Sequence, residues 1–237
     1  MSSSSGVHFS GVNAIVERQM RNWELGRLQR RQEPEHAQPV VADFITISRE
    51  LGCGGHEVAR LVAERLGWPM FDKEILDLMA EHDEVRRQVY QSLDERDLSW
   101  LEESLRSFMD PSFSRNDFFH RLSETILSLA RQASAVFLGR GAEYILPRTH
   151  GFRVRFVAPL DSRIRHHARR KSIPEAQAGA EVLRLDRERR DYIAKYFKTD
   201  PSDPLRADII VNMSRYSPAS AAELVLAARK LAGHQPE

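Results

Sequence analysis

An α/β fold built on a parallel sheet is predicted for this chain of 237 residues, and three features predict it. Residues 40–48, VVADFITIS, read as a buried strand. The glycine cluster Gly52-Cys53-Gly54-Gly55 follows. After it come an amphipathic stretch at 57–66, with Val58, Leu61, Val62 and Leu66 on one side, and a second short strand at 68–71. A strand–loop–helix–strand unit of this kind joins parallel neighbours. The second feature is a pair of further apolar runs, 135–138 and 152–157, each closed by turn residues, Gly139-Arg140-Gly141 and Ala158-Pro159. The third is composition: 41% hydrophobic and 29% charged residues, with 12 Gly and 11 Pro, mark a globular chain. At roughly 150 residues per domain, its length fits one full domain plus extras, or two small ones.

The elements follow in order. Residues 1–10 are Ser-rich and read as disordered. Over 12–28, Val12, Ile15, Val16, Met20, Trp23 and Leu28 recur at helical spacing. The polar stretch 30–38, with Pro34, reads as a linker. Residues 1–39 thus form a disordered segment, a helical arm and a linker, and 40–233 form the main domain. The arm is either a packing helix or the arm of a homodimer. Residues 73–132 read as a helical insert broken near Asp110-Pro111. Its apolar stripes are Trp100, Leu101, Leu105 and Phe108, and then Phe118, Leu122, Thr125, Ile126 and Leu129. An Arg-rich helical region runs from 162 to about 197, a fifth strand covers 208–212, and a closing helix spans about 219–232.

Charge and cysteine usage exclude several function classes. The 35 basic and 34 acidic residues leave a net charge of +1, which is not the footprint of a nucleic-acid binder. Thirty of the basic residues are Arg, the side chain that grips phosphate with two parallel bonds. No run of 18 apolar residues suggests a membrane span. The opening MSSSSGVHFS lacks the basic and apolar regions of a signal peptide. Cys53 is the single cysteine, so no intramolecular disulfide forms and a reducing cytoplasm is the expected location.

The chemistry concentrates at the glycine cluster. A strand, a Gly-rich loop and a helix start make an anion site, because backbone N–H groups and the helix dipole face the same point. Two phosphate-binding readings fit. In a dinucleotide loop the first Gly follows the strand almost directly, whereas Arg49, Glu50 and Leu51 intervene here, and Glu57 stands in place of the third Gly. Asp72, twenty residues after Gly52, is the argument for that reading. A phosphate loop of the G-x-x-x-x-G-K-[ST] kind allows the longer excursion. Here Arg49 holds its first Gly position, Gly55 its Lys position and His56 its Ser/Thr position. The motif alone does not choose between them.

The wider constellation does. ITISRELGCGGHEVARLVAERLGWPMFDKEIL, with FLGRGAEYIL, DRERRDYIAKYF and DPLRADIIVN, resembles the cytidylate-kinase-like family of P-loop proteins, over about 44–231. The resemblance implies a P-loop three-layer fold with a five-stranded parallel sheet, a helical substrate-binding insert at 73–132 and an Arg-rich lid at 162–200. It implies ATP with Mg²⁺ as phosphoryl donor and a nucleoside monophosphate, CMP or dCMP first, as acceptor. Partners are then small nucleotides, with no nucleic acid and no membrane.

The resemblance also implies residue roles. Gly52, Cys53, Gly54, Gly55, His56 and Glu57 would surround the donor phosphates, with Glu57 placed to reach Mg²⁺ through water. No direct metal ligand is expected. Asp72, Lys73, Arg140, Asp186, Arg189 and Tyr192 would bind the acceptor. Arg140 matches the Arg of the family's Asp-Gly-Arg-Asp segment, whose flanking acids are here Leu138 and Gly141. Arg49 and the lid residues Arg187 and Arg190 would supply the charge that the missing loop Lys does not. The competing expectation is a nucleotide-binding regulatory module with little or no transfer.

Overall fold

The computed structural model describes residues 14–30, 41–91, 93–109 and 117–233. The expected disorder at 1–10, the linker at 30–38 beyond Arg30, and the break at Asp110-Pro111 lie outside them. Five parallel strands, β1 (Phe44–Arg49), β2 (Met70–Phe71), β3 (Ala135–Leu138), β4 (Phe152–Val157) and β5 (Ile209–Asn212), form one sheet in the order β2-β3-β1-β4-β5. The first strand is therefore central, and its carboxyl end is where chain crossings part to either side. Alternation divides each strand between two cores. Ile45 and Ile47 pack with Val154 and Phe156 under α2 (Gly55–Leu66) and α10 (Pro218–Leu231). Phe44 and Phe137 join the larger core on the other face, against α3 (Lys73–Glu81) and α6 (Phe118–Gln132).

Several elements differ from the sequence expectation, each for a local reason. Helix α2 begins at Gly55, two residues early, because Gly54 takes a left-handed conformation (φ 84°) and caps it. Strand β2 keeps only two residues, since the N–H of Trp68 turns back to the carbonyl of Ala63. The insert divides into α3, α4 (Asp83–Gln91), α5 (Glu95–Phe108) and α6. Extended backbone at His82 separates the first two, and Asp94 opens α5 with a reciprocal capping box to Asp97. The Arg-rich region is a hairpin of α8 (Leu160–Lys171) and α9 (Glu175–Phe197), turned at Ser172, whose φ is 55°. A short α7 (Ala142–Ile145) follows the Gly139-Arg140-Gly141 turn.

The N-terminal helix α1 (Ala14–Arg30) is docked on this chain's own core. Val16, Met20 and Trp23 are buried there, the indole N–H donates to the carbonyl of Leu129 at 3.1 Å, and the Gln19 amide oxygen accepts from the N–H of Met70 at 2.9 Å. Three of its apolar residues are thus covered within the monomer, while Ile15 and Leu28 stay exposed. Trp23→Ala is expected to cost about 3–5 kcal/mol, the usual range for removing a buried large aromatic. Urea unfolding followed by circular dichroism measures it, and a loss below about 1 kcal/mol would mean the helix is only loosely attached.

Candidate active site

The glycine loop joins the carboxyl end of β1 to α2, and its glycines have distinct jobs. Gly52 has φ 83°, and a Cβ there would run into the backbone carbonyl of Arg163 on α8. At Gly54 a Cβ would meet nothing nearer than the His166 ring at 4.0 Å, so the space above it is open. Among the described residues, the N–H groups of Gly54 and His56 donate to no protein acceptor. First-turn N–H groups of a helix have no partner in their own helix, so these two are available to an anion. Cys53 faces inward. Its thiol lies 3.8 Å from the carbonyl of Phe156, its N–H turns to the carbonyl of Glu50 at 3.4 Å, and burial pushes its pKa up. Cys53 therefore shapes the turn, while His56 and Glu57 sit exposed on the first turn of α2.

Two guanidinium groups flank the loop. Arg49 curls across the carboxyl end of the sheet until its Nη1 fills the place a Gly139 Cβ would take, and the φ of 83° at Gly139 is what makes that turn a glycine position. Burial, and next the positive charge of Arg189, lower its pKa to about 10. Among the described residues no carboxylate pairs with it. Arg189 reaches back from α9 to donate to the carbonyl of Arg49 at 3.1 Å, and burial lowers its pKa as well. Crowded, half-buried cations of this kind favour a bound anion, since each pays in solvation and repulsion without one.

A second cluster lies at the ends of β2 and β3. Asp72 caps α3 by accepting from the N–H of Ile75 at 3.1 Å and faces the His56 ring at 3.4 Å. Burial alone would raise its pKa. The bonds from His56 and Ile75, with the charges of His56 and Arg49, outweigh burial and hold it below the usual carboxylate range. Lys73 and Arg140 converge on one oxygen of Asp77, Lys73 at 3.0 Å. Arg140 adopts φ 55° between two left-handed glycines, with its guanidinium over the rings of Phe118 (5.8 Å) and Tyr192 (5.9 Å). The Tyr192 hydroxyl donates to the carbonyl of Arg140 at 3.4 Å, and burial raises its pKa. Tyr192 also packs edge-on or tilted against the rings of Phe119, Tyr196 and Phe197.

Arg49, Asp72, Asp186 and Arg189 reach the loop or its flanks, and Lys73, Arg140 and Tyr192 meet around Asp77 and the Gly139–Gly141 turn. Arg187 and Arg190 do neither: both lie exposed on α9, and the charge of Arg190 is felt by Asp200 instead. Asp186 turns both oxygens inward, one to the N–H of Leu51 at 3.1 Å and the other to Arg163. Two residues that the sequence does not single out complete this contact. Arg163 is buried on α8, and Glu50 accepts from the N–H of Ala158 at 3.0 Å. The run DSRIRHHARRK has too few apolar residues to show which Arg faces inward, so Arg163 carries no periodic signal.

No curated protein matches the chain. Among solved structures, an uncharacterized protein from Eubacterium ventriosum is 24% identical, with 78% of this chain and 96% of that chain covered and a TM-score of 0.62. A gluconokinase from Sinorhizobium meliloti is 16% identical over 83% of this chain and 97% of its own, with a TM-score of 0.46. A shikimate kinase from Bacteroides thetaiotaomicron is 14% identical over 81% and 98%, with a TM-score of 0.44. The first likeness shows the fold. The model of the cytidylate kinase-like family matches residues 44–215. Since that match starts at the first residue of β1, ends just beyond β5 and takes in the glycine loop, the Arg140 turn and the lid, the chain belongs to the cytidylate kinase-like family.

Proposed function

We propose that the protein transfers the γ-phosphoryl group of ATP to a nucleoside monophosphate, with CMP or dCMP as the first candidates. Family membership supports the coarser statement, a phosphotransferase acting on a small molecule. The observation that carries the finer reading is the loop itself: open N–H groups at Gly54 and His56, flanked by Arg49 and Arg189. Such chemistry is mostly positioning and charge neutralisation. Backbone donors hold the β- and γ-phosphates. An acceptor phosphate oxygen forms the new P–O bond as the bond to the ADP leaving oxygen breaks. Arg49 and Arg189 bear the charge on the moving oxygens, and Arg140 and Lys73 face the acceptor.

Among the described residues no group of three or more His, Cys, Asp or Glu is arranged for a metal. Mg²⁺ is usually held by one or two carboxylates plus substrate phosphates and water. Glu57 is the exposed first-turn carboxylate that would hold it through water, and the ion would neutralise phosphate charge. No described helix is long and apolar enough to cross a membrane.

Gly54→Val tests the donor site. A Cβ at this position meets open space, so the branched group is directed at the ligand's volume, although the left-handed φ adds about 1–2 kcal/mol of strain. Calorimetry on the folded variant should show ATP affinity reduced at least about a hundredfold, close to 2.7 kcal/mol. Wild-type affinity in a folded Gly54→Val protein removes the loop from nucleotide binding. ATP binding in the wild-type protein without ADP release for any nucleoside monophosphate would favour the regulatory module.

A further inference from the structure

We propose that His166 is a further ligand of the nucleotide phosphates, one that takes up a proton as they bind. The inference rests on the reading of the glycine loop as a nucleotide site and adds to that site a side chain that the sequence does not single out.

His166 lies half-buried on α8, with its ring over the loop. Its Cε1 is the nearest side-chain atom to the open point above Gly54, 4.0 Å from where a Cβ would stand. Cε1 is the carbon between the two ring nitrogens. Nδ1 and Nε2 therefore flank the same space that the free N–H groups of Gly54 and His56 adjoin. Among the described residues, neither nitrogen of His166 has a hydrogen-bond or ion-pair partner. The next residue shows the contrast. His167 is buried and meets Glu181 of α9 at 3.0 Å, and Glu181 also accepts from Lys171 at 2.8 Å. His167 is thus held inside the protein, while His166 is left open toward the loop.

The charges around His166 favour a neutral ring when no anion is near. Burial, then Arg170 and Arg169 of its own helix, lower its pKa. His167 acts in the same direction, and Glu57 on the first turn of α2 opposes them. From α9, Glu181 is committed to His167 and Lys171. Phosphate reverses this balance. Its negative charge favours the imidazolium, which donates from both nitrogens where the neutral ring donates from one. The pKa is therefore low without the anion and higher with it. At a pH between the two values binding takes up a proton, and affinity rises as pH falls through that window and levels off below it. The proton passes from solvent to a ring nitrogen, and no other bond is made or broken. The Lys position of a strict phosphate loop is Gly55 here, so the first turn of α2 offers no such cation, and His166 becomes one when phosphate arrives.

Calorimetry of ATP with Mg²⁺ near pH 7, in Hepes and in Tris, counts the protons taken up, because the two buffers differ in ionisation enthalpy. The same titration near pH 6 and pH 8 gives the affinities. In the wild-type protein a sizeable fraction of one proton should be taken up, with affinity about tenfold higher near pH 6 than near pH 8, the size of a bond to a charged donor. His166→Gln keeps a neutral donor. It should lose the uptake, match wild type near pH 8 and bind about tenfold more weakly near pH 6. His166→Arg carries its charge throughout, so near pH 8 it should bind about as tightly as wild type does near pH 6, again without uptake. Wild-type ATP binding without proton uptake overturns the proposal. Uptake that persists in His166→Gln also overturns it, since the proton then belongs to another group such as His56. So does equal weakening of His166→Gln at both pH values, which makes the ring a structural part of α8. Failure of the wild-type protein to bind ATP at any of these pH values overturns the nucleotide reading itself, and this inference with it.

Discussion

Alanine in place of Arg49 is expected to leave ATP bound and to slow its transfer by about 10²–10³-fold, the usual cost of removing one preorganised donor from a developing charge. The argument is differential. The loop N–H groups that hold the ground-state phosphates belong to the backbone and survive the substitution. The Arg49 guanidinium stands beside them, half-buried, with its pKa lowered to about 10 by burial and by Arg189. A cation in that state gains most when negative charge builds next to it, which happens as the phosphoryl group moves. Arg49→Lys should recover part of the loss, because it restores charge without the planar fork. ADP release measured against calorimetric ATP affinity separates the two effects. A parallel fall of affinity and turnover would assign Arg49 to ground-state binding, and unchanged turnover would remove it from the reaction.

A stability effect as large as that of Trp23→Ala is expected at Arg153, away from the loop on the opposite face of β4. Its side chain is 2% exposed and donates to the carbonyls of Glu143 (3.4 Å), His150 (2.9 Å), Leu146 (3.0 Å) and Pro147 (2.6 Å). The guanidinium lies over the ring of Phe44 at 5.6 Å. These carbonyls close α7 and the turn after it, so Arg153 is the cap of a helix too short to end itself. Burial, then the nearby Arg148, lower its pKa to about 10, which records the solvation it gives up. Arg153→Leu fills much of the volume but leaves several buried carbonyls without a donor. A loss of about 4 kcal/mol is expected. Chemical denaturation measures it, and a loss under about 1 kcal/mol would mean that water replaces the guanidinium.

The strands and most helices are legible in the sequence because they rest on local apolar pattern. Runs such as FRVRFV and AVFL are bounded by turn residues and buried on both faces. The glycine loop is legible for a similar reason, since three glycines in four residues between a strand and a helix have few other uses. What is not legible depends on contacts between distant segments. Residues 73–132 read as helical with a break near Asp110-Pro111, yet the chain also pauses at His82 and at Asp94, where a cap competes with propensity. Arg163 and Glu50 become visible only when the lid lies on the loop, because charge on a polar helix has no periodicity to betray the inward side. The pairing of Asp77 with both Lys73 and Arg140 is likewise a fact of assembly, one residue from α3 meeting one from the end of β3.

The docked α1 has a consequence for how the chain is made. Trp23 and the carbonyl it bonds, that of Leu129, are 106 residues apart. At synthesis rates of about 5–20 residues per second, α1 leaves the ribosome roughly 5–20 s before its seat exists. During that interval the α6 part of the core that covers Val16, Met20 and Trp23 is missing. Helix α1 therefore reaches its final place late, and this window is when the nascent protein most needs a chaperone or freedom from crowded neighbours.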